Sequence, residues 1–262
     1  MNANVLVEDR GAVRIITINR PERRNAIDRA TADLLYETFQ EFDADDNVSV
    51  AVFTGAGSSF CGGYDLKSLT DDIAASLITE GGENELGPMG PSRMFLSKPV
   101  IAAIEGYAVA GGLELAIWCD LRVVAEDATF GVFCRRFGVP MVDGGSVRLP
   151  RLIGQSRAMD MLLTGRTVDA QESERIGLAN RVVAKGTALE ESIALAEQLC
   201  RFPQTCMRND RISMLQQWGL NHDEALRNEI RIGVKTKDSG ETVDGANRFA
   251  NGAGRHGAFP DS

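Results

Sequence analysis

Two glycine-rich turns about fifty residues apart constrain the fold of this chain more than any other feature: Phe60-Cys61-Gly62-Gly63-Tyr64-Asp65-Leu66 and Gly106-Tyr107-Ala108-Val109-Ala110-Gly111-Gly112-Leu113-Glu114-Leu115. Each closes an apolar, strand-like run, and the second leads directly into a helix-like segment carrying Glu114. Glycine at a strand-to-helix turn lets backbone N–H groups point into a cleft, where the helix N-terminus adds positive partial charge. Two such turns can form an oxyanion hole for the enolate or tetrahedral anion of a carbonyl or thioester.

The rest of the chain supplies strands and helices to carry those turns. Val13–Ile18 is rich in β-branched residues and predicts a strand, ended by Asn19-Arg20-Pro21. Ile27, Thr31, Leu34, Leu35, Thr38 and Phe42 recur at helical spacing and predict an amphipathic helix over roughly 28–42. Val48–Phe53, Pro99–Ile104 and Leu121–Ala125 read as buried strands. Strands alternating with helices in this way predict an α/β architecture with largely parallel pairing. Ser68–Pro91 is polar, glycine-bearing and aperiodic, and is expected to be a mobile stretch beside the active site. Helical patterns dominate from Ser146, notably Ala188–Leu199 and Asp210–Ile232, with a boundary near 200 at Arg201-Phe202-Pro203. Trp118, Met159 and Met161 read as core.

Composition removes several function classes. A chain of 262 residues, 44% apolar and 25% charged, can bury a sizeable core as one large domain with a small appendage. Its net charge of −9 argues against nucleic-acid or anionic-membrane surfaces, which need clustered Lys and Arg. The start, Met1-Asn2-Ala3-Asn4-Val5, lacks a charged segment followed by an apolar one, and no apolar run approaches the length of a membrane span, so a cytoplasmic location is expected. Cys61, Cys119, Cys134, Cys200 and Cys206 make an odd count with no C-x-x-C pair, which disfavours disulfides and structural zinc. The two histidines, His222 and His256, are distant from the turns in sequence, so neither a Ser-His-Asp triad nor a metal cluster is indicated. Neither G-x-G-x-x-G nor a P-loop occurs, and no permanently bound nucleotide cofactor is expected.

The order Asn19-Arg20-Pro21-Glu22-Arg23-Arg24-Asn25-Ala26, the Phe60–Leu66 turn, Lys98–Gly106, Gly111-Gly112-Leu113-Glu114, Leu149-Pro150-Arg151-Leu152-Ile153-Gly154 and Leu163-Thr164-Gly165 resembles the enoyl-CoA hydratase/isomerase (crotonase) superfamily. The resemblance runs from about residue 5 to the Gly254-Arg255-His256-Gly257 tail. It implies a spiral of ββα units over residues 1–200 that binds and processes acyl-CoA, followed by a helical region, 201–262, that forms a trimer or a dimer of trimers. It implies that coenzyme A enters as part of the thioester substrate. By position, the backbone N–H groups of Tyr64 and Gly111 become the oxyanion-hole donors. Tyr64 replaces the commoner small residue and is expected to narrow the acyl pocket. Arg23, Arg24, Ala26, Cys61, Gly62, Gly63, Asp65 and Leu66 would line the coenzyme A site, with Arg23 or Arg24 near the phosphates; singly, each arginine is equally readable as a solvated loop residue.

The proton chemistry centres on Glu114, three residues past Gly111 and so about one helical turn from the hole. Either it is a general acid or base in a desolvated cleft, or it caps a turn. Hydratases of the superfamily carry a second glutamate four residues before a glycine in the segment after the third strand, and here Phe130–Gly138 places Cys134 at that point. Cys134 is a pocket-wall thiol, or a nucleophile if Arg135 and Arg136 lower its pKa. Asp143, in Pro140-Met141-Val142-Asp143-Gly144-Gly145, is the nearest replacement carboxylate, unless it only caps the next helix. The expectation is a hydratase-like lyase that stabilises a thioester enolate, with isomerisation, thioester or carbon–carbon cleavage, and acyl-CoA binding with little turnover as the alternatives.

Overall fold

The computed structural model describes residues 4–70 and 82–254. The chain opens with an antiparallel hairpin of β1 (Val5–Arg10) and β2 (Val13–Ile18), then helix α1 (Arg29–Ala44) and strand β3 (Val50–Gly55), which lies parallel to β2. Two successive units follow: β4 (Val100–Ile104), β5 (Tyr107–Val109) and α2 (Gly111–Trp118), then β6 (Leu121–Ala125), β7 (Thr129–Gly131) and α3 (Gly145–Ile153). In each unit the first strand joins a six-stranded sheet and the second crosses to a three-stranded one. Helix α4 (Gln155–Thr164), β8 (Val168–Asp169), α5 (Ala170–Arg175), β9 (Arg181–Val183) and α6 (Ala188–Cys200) complete the layers. The large sheet runs β1-β2-β3-β4-β6-β9, parallel throughout after the first hairpin, and the small one runs β5-β7-β8. This is the α/β spiral of ββα units that the sequence predicts.

Successive side chains of a strand face opposite sides, so a parallel strand covered on both faces must be apolar throughout. That is why β4 is wholly Val/Ile/Ala and why β2, β3 and β6 are dominated by apolar residues, with Arg14 and Arg122 as the charged exceptions. Val13, Ile15, Val50, Val52, Ile101, Ala103 and Val123 pack against Ile193, Leu195 and Ala196 of α6. The alternate set, Ile16, Ile18, Phe53, Ala102, Ile104 and Val124, faces the larger core with Leu35, Phe39 and Phe42 of α1. Phe39 makes edge-to-face contacts with Phe42, Phe53 and Trp118. Asp28 caps α1 by accepting from Thr31 N at 2.9 Å, which sets the helix start one residue from its predicted position.

Several expectations need correction. The helix predicted over 210–232 is two helices, α7 (Gln204–Gln216) and α8 (His222–Asp238), because Asn221 and Glu224 form a reciprocal capping box that starts a new helix after the turn Gln217–Gly219. Helices dominate after Ser146 as expected, interrupted by β8 and β9, which at two and three residues are too short to show a period. Met161 is buried and Trp118 is half-buried as expected, but Met159 is 44% exposed on α4. Of the expected mobile stretch, residues 71–81 lie outside the described residues, and Pro91–Arg93 is an ordered 3-10 turn packed on α1 and α2. His256 also lies outside them. The chain turns at 201–203 between α6 and α7, and α9 (Glu241–Ala250) closes the described part. No helix among the described residues is long and apolar enough to cross a membrane.

Candidate active site

The two glycine turns meet. A Cβ on Gly63 (φ +98°) would stand 2.9 Å from Ala110 Cβ and 3.1 Å from Gly111 N, and one on Gly112 would stand 2.1 Å from Cys61 O. Only glycine allows the backbones to approach so closely. The contact is held by parallel bridging: Cys61 N donates to Tyr107 O at 2.9 Å and Val109 N to Cys61 O at 3.1 Å. A second bridge uses Asp65 N, which donates to Ile27 O, and Gly63 O, which accepts from Ile27 N. These bonds occupy the groups on either side of Tyr64 and leave its own N–H over. In the other turn Ala110 N donates to Gly131 O, and the next amide, Gly111 N, begins α2. Among the described residues neither Tyr64 N nor Gly111 N has an acceptor. Ala110 adopts φ +54°, ψ −125°, a conformation that costs a non-glycine residue about 1–3 kcal/mol. It immediately precedes Gly111, which borders the cleft.

Glu114 is 2% exposed, although it sits in the first turn of α2. It does not cap its own helix. Its Oε1 accepts from Asp143 N at 2.9 Å and Gly145 N at 2.8 Å, the free amides at the start of α3. Burial, followed by the neighbouring Asp143 charge, pushes its pKa up to about 8 against the pull of those amides. Asp143 is equally buried, and Gly144 rather than Asp143 occupies the cap position of α3, with no side-chain cap bond, so the capping reading of Asp143 fails. Its Oδ1 instead accepts from Met89 N at 3.0 Å and from the Ser92 hydroxyl. Burial raises the Asp143 pKa, while the Ser92 hydroxyl, the Met89 amide, Arg93 and Arg148 oppose the rise. Glu114 Oε2 and Asp143 Oδ2 have no hydrogen-bond partner among the described residues.

Both carboxylates and both turns line one cleft, walled by Leu66, Leu69, Met89, Phe133, Phe137 and Val139. Gly62, Tyr64, Gly111, Glu114, Cys134 and Asp143 all border it, so the structure gathers the five proposed catalytic residues into one site. Cys134, however, is a wall residue rather than a thiolate: burial, followed by the Glu114 charge, pushes its thiol pKa up. Arg135 and Arg136 are turned away onto Leu162 O and Gly165 O, and Arg136 stacks on Phe133. The nucleophile reading of Cys134 therefore loses its physical basis.

The expected coenzyme A residues divide. Gly62 and Leu66 border the cleft, and Gly62 N donates to Arg24 O, which brings the exposed Arg23–Arg24 turn beside it. Ala26 is partly buried, and its carbonyl accepts from Arg20. Cys61 and Asp65 are corrected to structural roles. Cys61 is fully buried under Gly112, with its thiol pushed up to about 12 by burial. Asp65 is buried and, with Asp28, pairs with Arg20 at 3.3 and 2.7 Å. Gly63 serves the close approach rather than the lining. Ser92, Met89 and Arg148 were not singled out by the sequence, since a serine and an arginine in these positions carry no motif. Arg148 donates to Asp143 O at 2.9 Å and Ser92 O at 2.8 Å. No cluster able to hold a metal occurs among the described residues.

A family model described as enoyl-CoA hydratase/isomerase matches residues 8–254. The chain is 34% identical over 254 residues to enoyl-CoA hydratase EchA19 of Mycobacterium tuberculosis, covering 94% of this chain and 93% of that one. Among solved structures, enoyl-CoA hydratase EchA1 of Mycobacterium marinum superposes with a TM-score of 0.87 at 35% identity over 95% of this chain and 96% of that one. An enoyl-CoA hydratase of Mycobacterium tuberculosis gives the same TM-score and coverage at 36% identity.

Proposed function

The chain belongs to the enoyl-CoA hydratase/isomerase family of enzymes, and from that premise we propose that it adds water across the double bond of an apolar 2-enoyl-CoA thioester, with Glu114 and Asp143 as its two carboxylates. The observation that carries this reading is the pairing itself. Two buried carboxyl groups share one apolar cleft, each with one oxygen fixed by hydrogen bonds and the other without a partner. Their surroundings push them apart in role. Glu114, raised to about 8, keeps a proton at neutral pH and is the acid. Asp143 is the base: burial raises its pKa too, but the Ser92 and Met89 hydrogen bonds and the Arg93 and Arg148 charges oppose that rise.

In this mechanism Asp143 Oδ2 takes a proton from water as the water oxygen bonds to the β-carbon. The π electrons move to the thioester oxygen, where the N–H groups of Tyr64 and Gly111 stabilise the enolate by about 3 kcal/mol per donor. The enolate then collapses as its α-carbon takes the proton of Glu114 Oε2. One proton passed from Asp143 to Glu114 restores the pair. The coenzyme A portion lies along Gly62, Leu66 and the Arg23–Arg24 turn. The helical region from 201 supports self-association: Leu226, Ile230 and Val234 form an exposed stripe at four-residue spacing on α8, and Phe249 is exposed on α9.

Mass spectrometry of crotonyl-CoA and a longer apolar enoyl-CoA in heavy water, beside Glu114→Gln and Asp143→Asn, tests the proposal. Water addition with one deuterium retained on the α-carbon, lost in both variants, is the expected result. Deuterium entering without water addition would replace hydration by isomerisation or another enolate reaction. Binding without either change would leave an acyl-CoA-binding protein.

A further inference from the structure

The proposed base is not an isolated aspartate. Asp143 Oδ1 is held from two directions by a segment more than fifty residues upstream: the Met89 amide at 3.0 Å and the hydroxyl of Ser92, which is 0% exposed. The same serine accepts from Arg148 through its carbonyl at 2.8 Å, and Arg148 returns to Asp143 O at 2.9 Å. Ser92, Asp143 and Arg148 thus close a ring of hydrogen bonds linking the Pro91–Arg93 turn to the first turn of α3. The packing around this ring leaves no slack. A Cβ on Gly87 would stand 2.2 Å from Ser92 Oγ and 2.7 Å from Asp143 Oδ1, so the loop that carries Met89 and Ser92 closes directly over the carboxylate. The turn is itself fixed by mutual hydrogen bonds between Gly87 and Gly90 at 2.9 and 3.1 Å.

We propose that Ser92 is a positioning residue for the reaction: its hydroxyl fixes Asp143 Oδ1 so that Oδ2, and only Oδ2, faces the attacking water. This inference rests on the reading of Asp143 as the base. A carboxylate whose one oxygen receives two donors cannot rotate that oxygen into the cleft without breaking both bonds. The same donors favour the ionised form. The other charged groups that bear on Asp143 are Glu114 on α2, Arg93 beside Ser92 and Arg148 on α3, with the neutral Cys134 thiol across the same cleft; among the described residues the only side chain that donates a hydrogen bond to the carboxylate is Ser92. Removing that one donor leaves the Met89 amide, so the carboxylate becomes both freer to turn and easier to protonate.

The test compares wild type with Ser92→Ala, Ser92→Cys and Asp143→Asn, measuring kcat and KM for enoyl-CoA hydration between pH 5 and pH 9. Ser92→Ala is expected to lower kcat roughly ten- to a hundredfold with KM little changed. It is also expected to move the low-pH limb of the profile up by about one unit, because the charged form loses a donor. Ser92→Cys, whose thiol is a weaker donor, should fall between the two, and it carries the test if the alanine variant does not fold. A low-pH limb unmoved in both serine variants, with Asp143→Asn inactive, overturns the role of Ser92 and leaves Asp143 as the base. Asp143→Asn retaining wild-type turnover overturns the parent reading instead.

Discussion

The two walls of the cleft are built on opposite principles. The glycine wall, formed by the 60–64 and 106–114 turns, presents backbone: it carries the two amides without an acceptor, Tyr64 N and Gly111 N, and side chains matter there chiefly by being absent. The carboxylate wall, formed by Met89–Arg93, Phe133–Val139 and Asp143–Arg148, presents side chains, held by one another and by backbone amides and carbonyls distant in sequence. The first is rigid because nothing larger than hydrogen fits between the chains. The second is rigid because a hydrogen-bond ring closes on itself. Glu114 joins them: it is rooted in the helix that begins at the glycine wall and accepts hydrogen bonds from the amides of Asp143 and Gly145 in the other.

The difference gives the walls different failure modes, and the largest is expected at Gly112. A methyl group there would stand 2.1 Å from Cys61 O and 2.9 Å from Cys61 Cβ, with a backbone carbonyl as the main obstacle. Gly112→Ala must separate the turns, at a cost of several kcal/mol and with loss of the two-amide geometry. Chemical denaturation should show a strongly lowered midpoint or no cooperative folded state. A near-native midpoint would mean that the turns can part cheaply and that the wall is not close-packed.

At the joint, Glu114→Gln separates activity from stability. If Glu114 is the acid, turnover should fall roughly 10²- to 10⁴-fold, since the substitution removes its proton while the amides keep an oxygen to bond. Because the folded-state pKa of Glu114, about 8, lies above its ordinary 4.5, the bound proton stabilises the fold fully below the ordinary value, and that contribution is lost as the pH rises towards 8. The glutamine cannot ionise and so escapes the loss. The variant should therefore melt close to wild type near pH 4.5 and above it near pH 8, by an amount on the order of a few kcal/mol. Thermal melts at both pH values check this; parallel curves would place Glu114 in a wetter setting than its burial indicates.

Behind the glycine wall, the 20–28 loop depends on one half-hidden cation. Arg20 pairs with Asp28 and Asp65 and reaches Ala26 O, while Asn25 donates to Ala56 O and Ser59 O at 2.9 and 2.6 Å. Arg20→Met leaves two partly buried carboxylates without their partner and should cost about 2–3 kcal/mol. If the loop carries the coenzyme A portion, KM should rise more than kcat falls. An unchanged KM would remove this loop from the substrate path.

The walls also differ in how far the sequence discloses them. A backbone requirement leaves glycine as its trace, so Gly62-Gly63 and Gly111-Gly112 are visible in one sequence, as are the strands, because burial on both faces demands unbroken apolar runs such as Val50–Phe53. A side-chain ring leaves no such trace. Ser92 and Asp143 are fifty-one positions apart, and nothing local to either residue signals the other. Asp143 could be nominated only because a glutamate was missing at Cys134, and its capping role could be dismissed only once Gly144 was seen to hold that place. The same limit explains Asp65, whose place in the glycine turn suggested substrate contact until Arg20 was found against it. It also explains the break between α7 and α8, where a local capping signal outweighs a long helical period.

Cys134 gives the smallest expected effect and the sharpest contrast between the walls. The sequence resemblance nominates it for the place of a second glutamate, yet it is 8% exposed, and burial beside Glu114 pushes its thiol pKa up. If the carboxylate wall works through Asp143, replacing this thiol by a methyl removes only packing. Cys134→Ala should therefore keep kcat within a few-fold of wild type, lose on the order of 1 kcal/mol of stability, and leave both limbs of the pH profile in place. A thousandfold loss would instead require the sulfur to take part in the chemistry. Since burial beside Glu114 raises the thiol pKa, such a role would need a neighbouring base, Glu114 itself, to take the thiol proton as the sulfur attacks, and would then appear as a loss in Glu114→Gln of the same size.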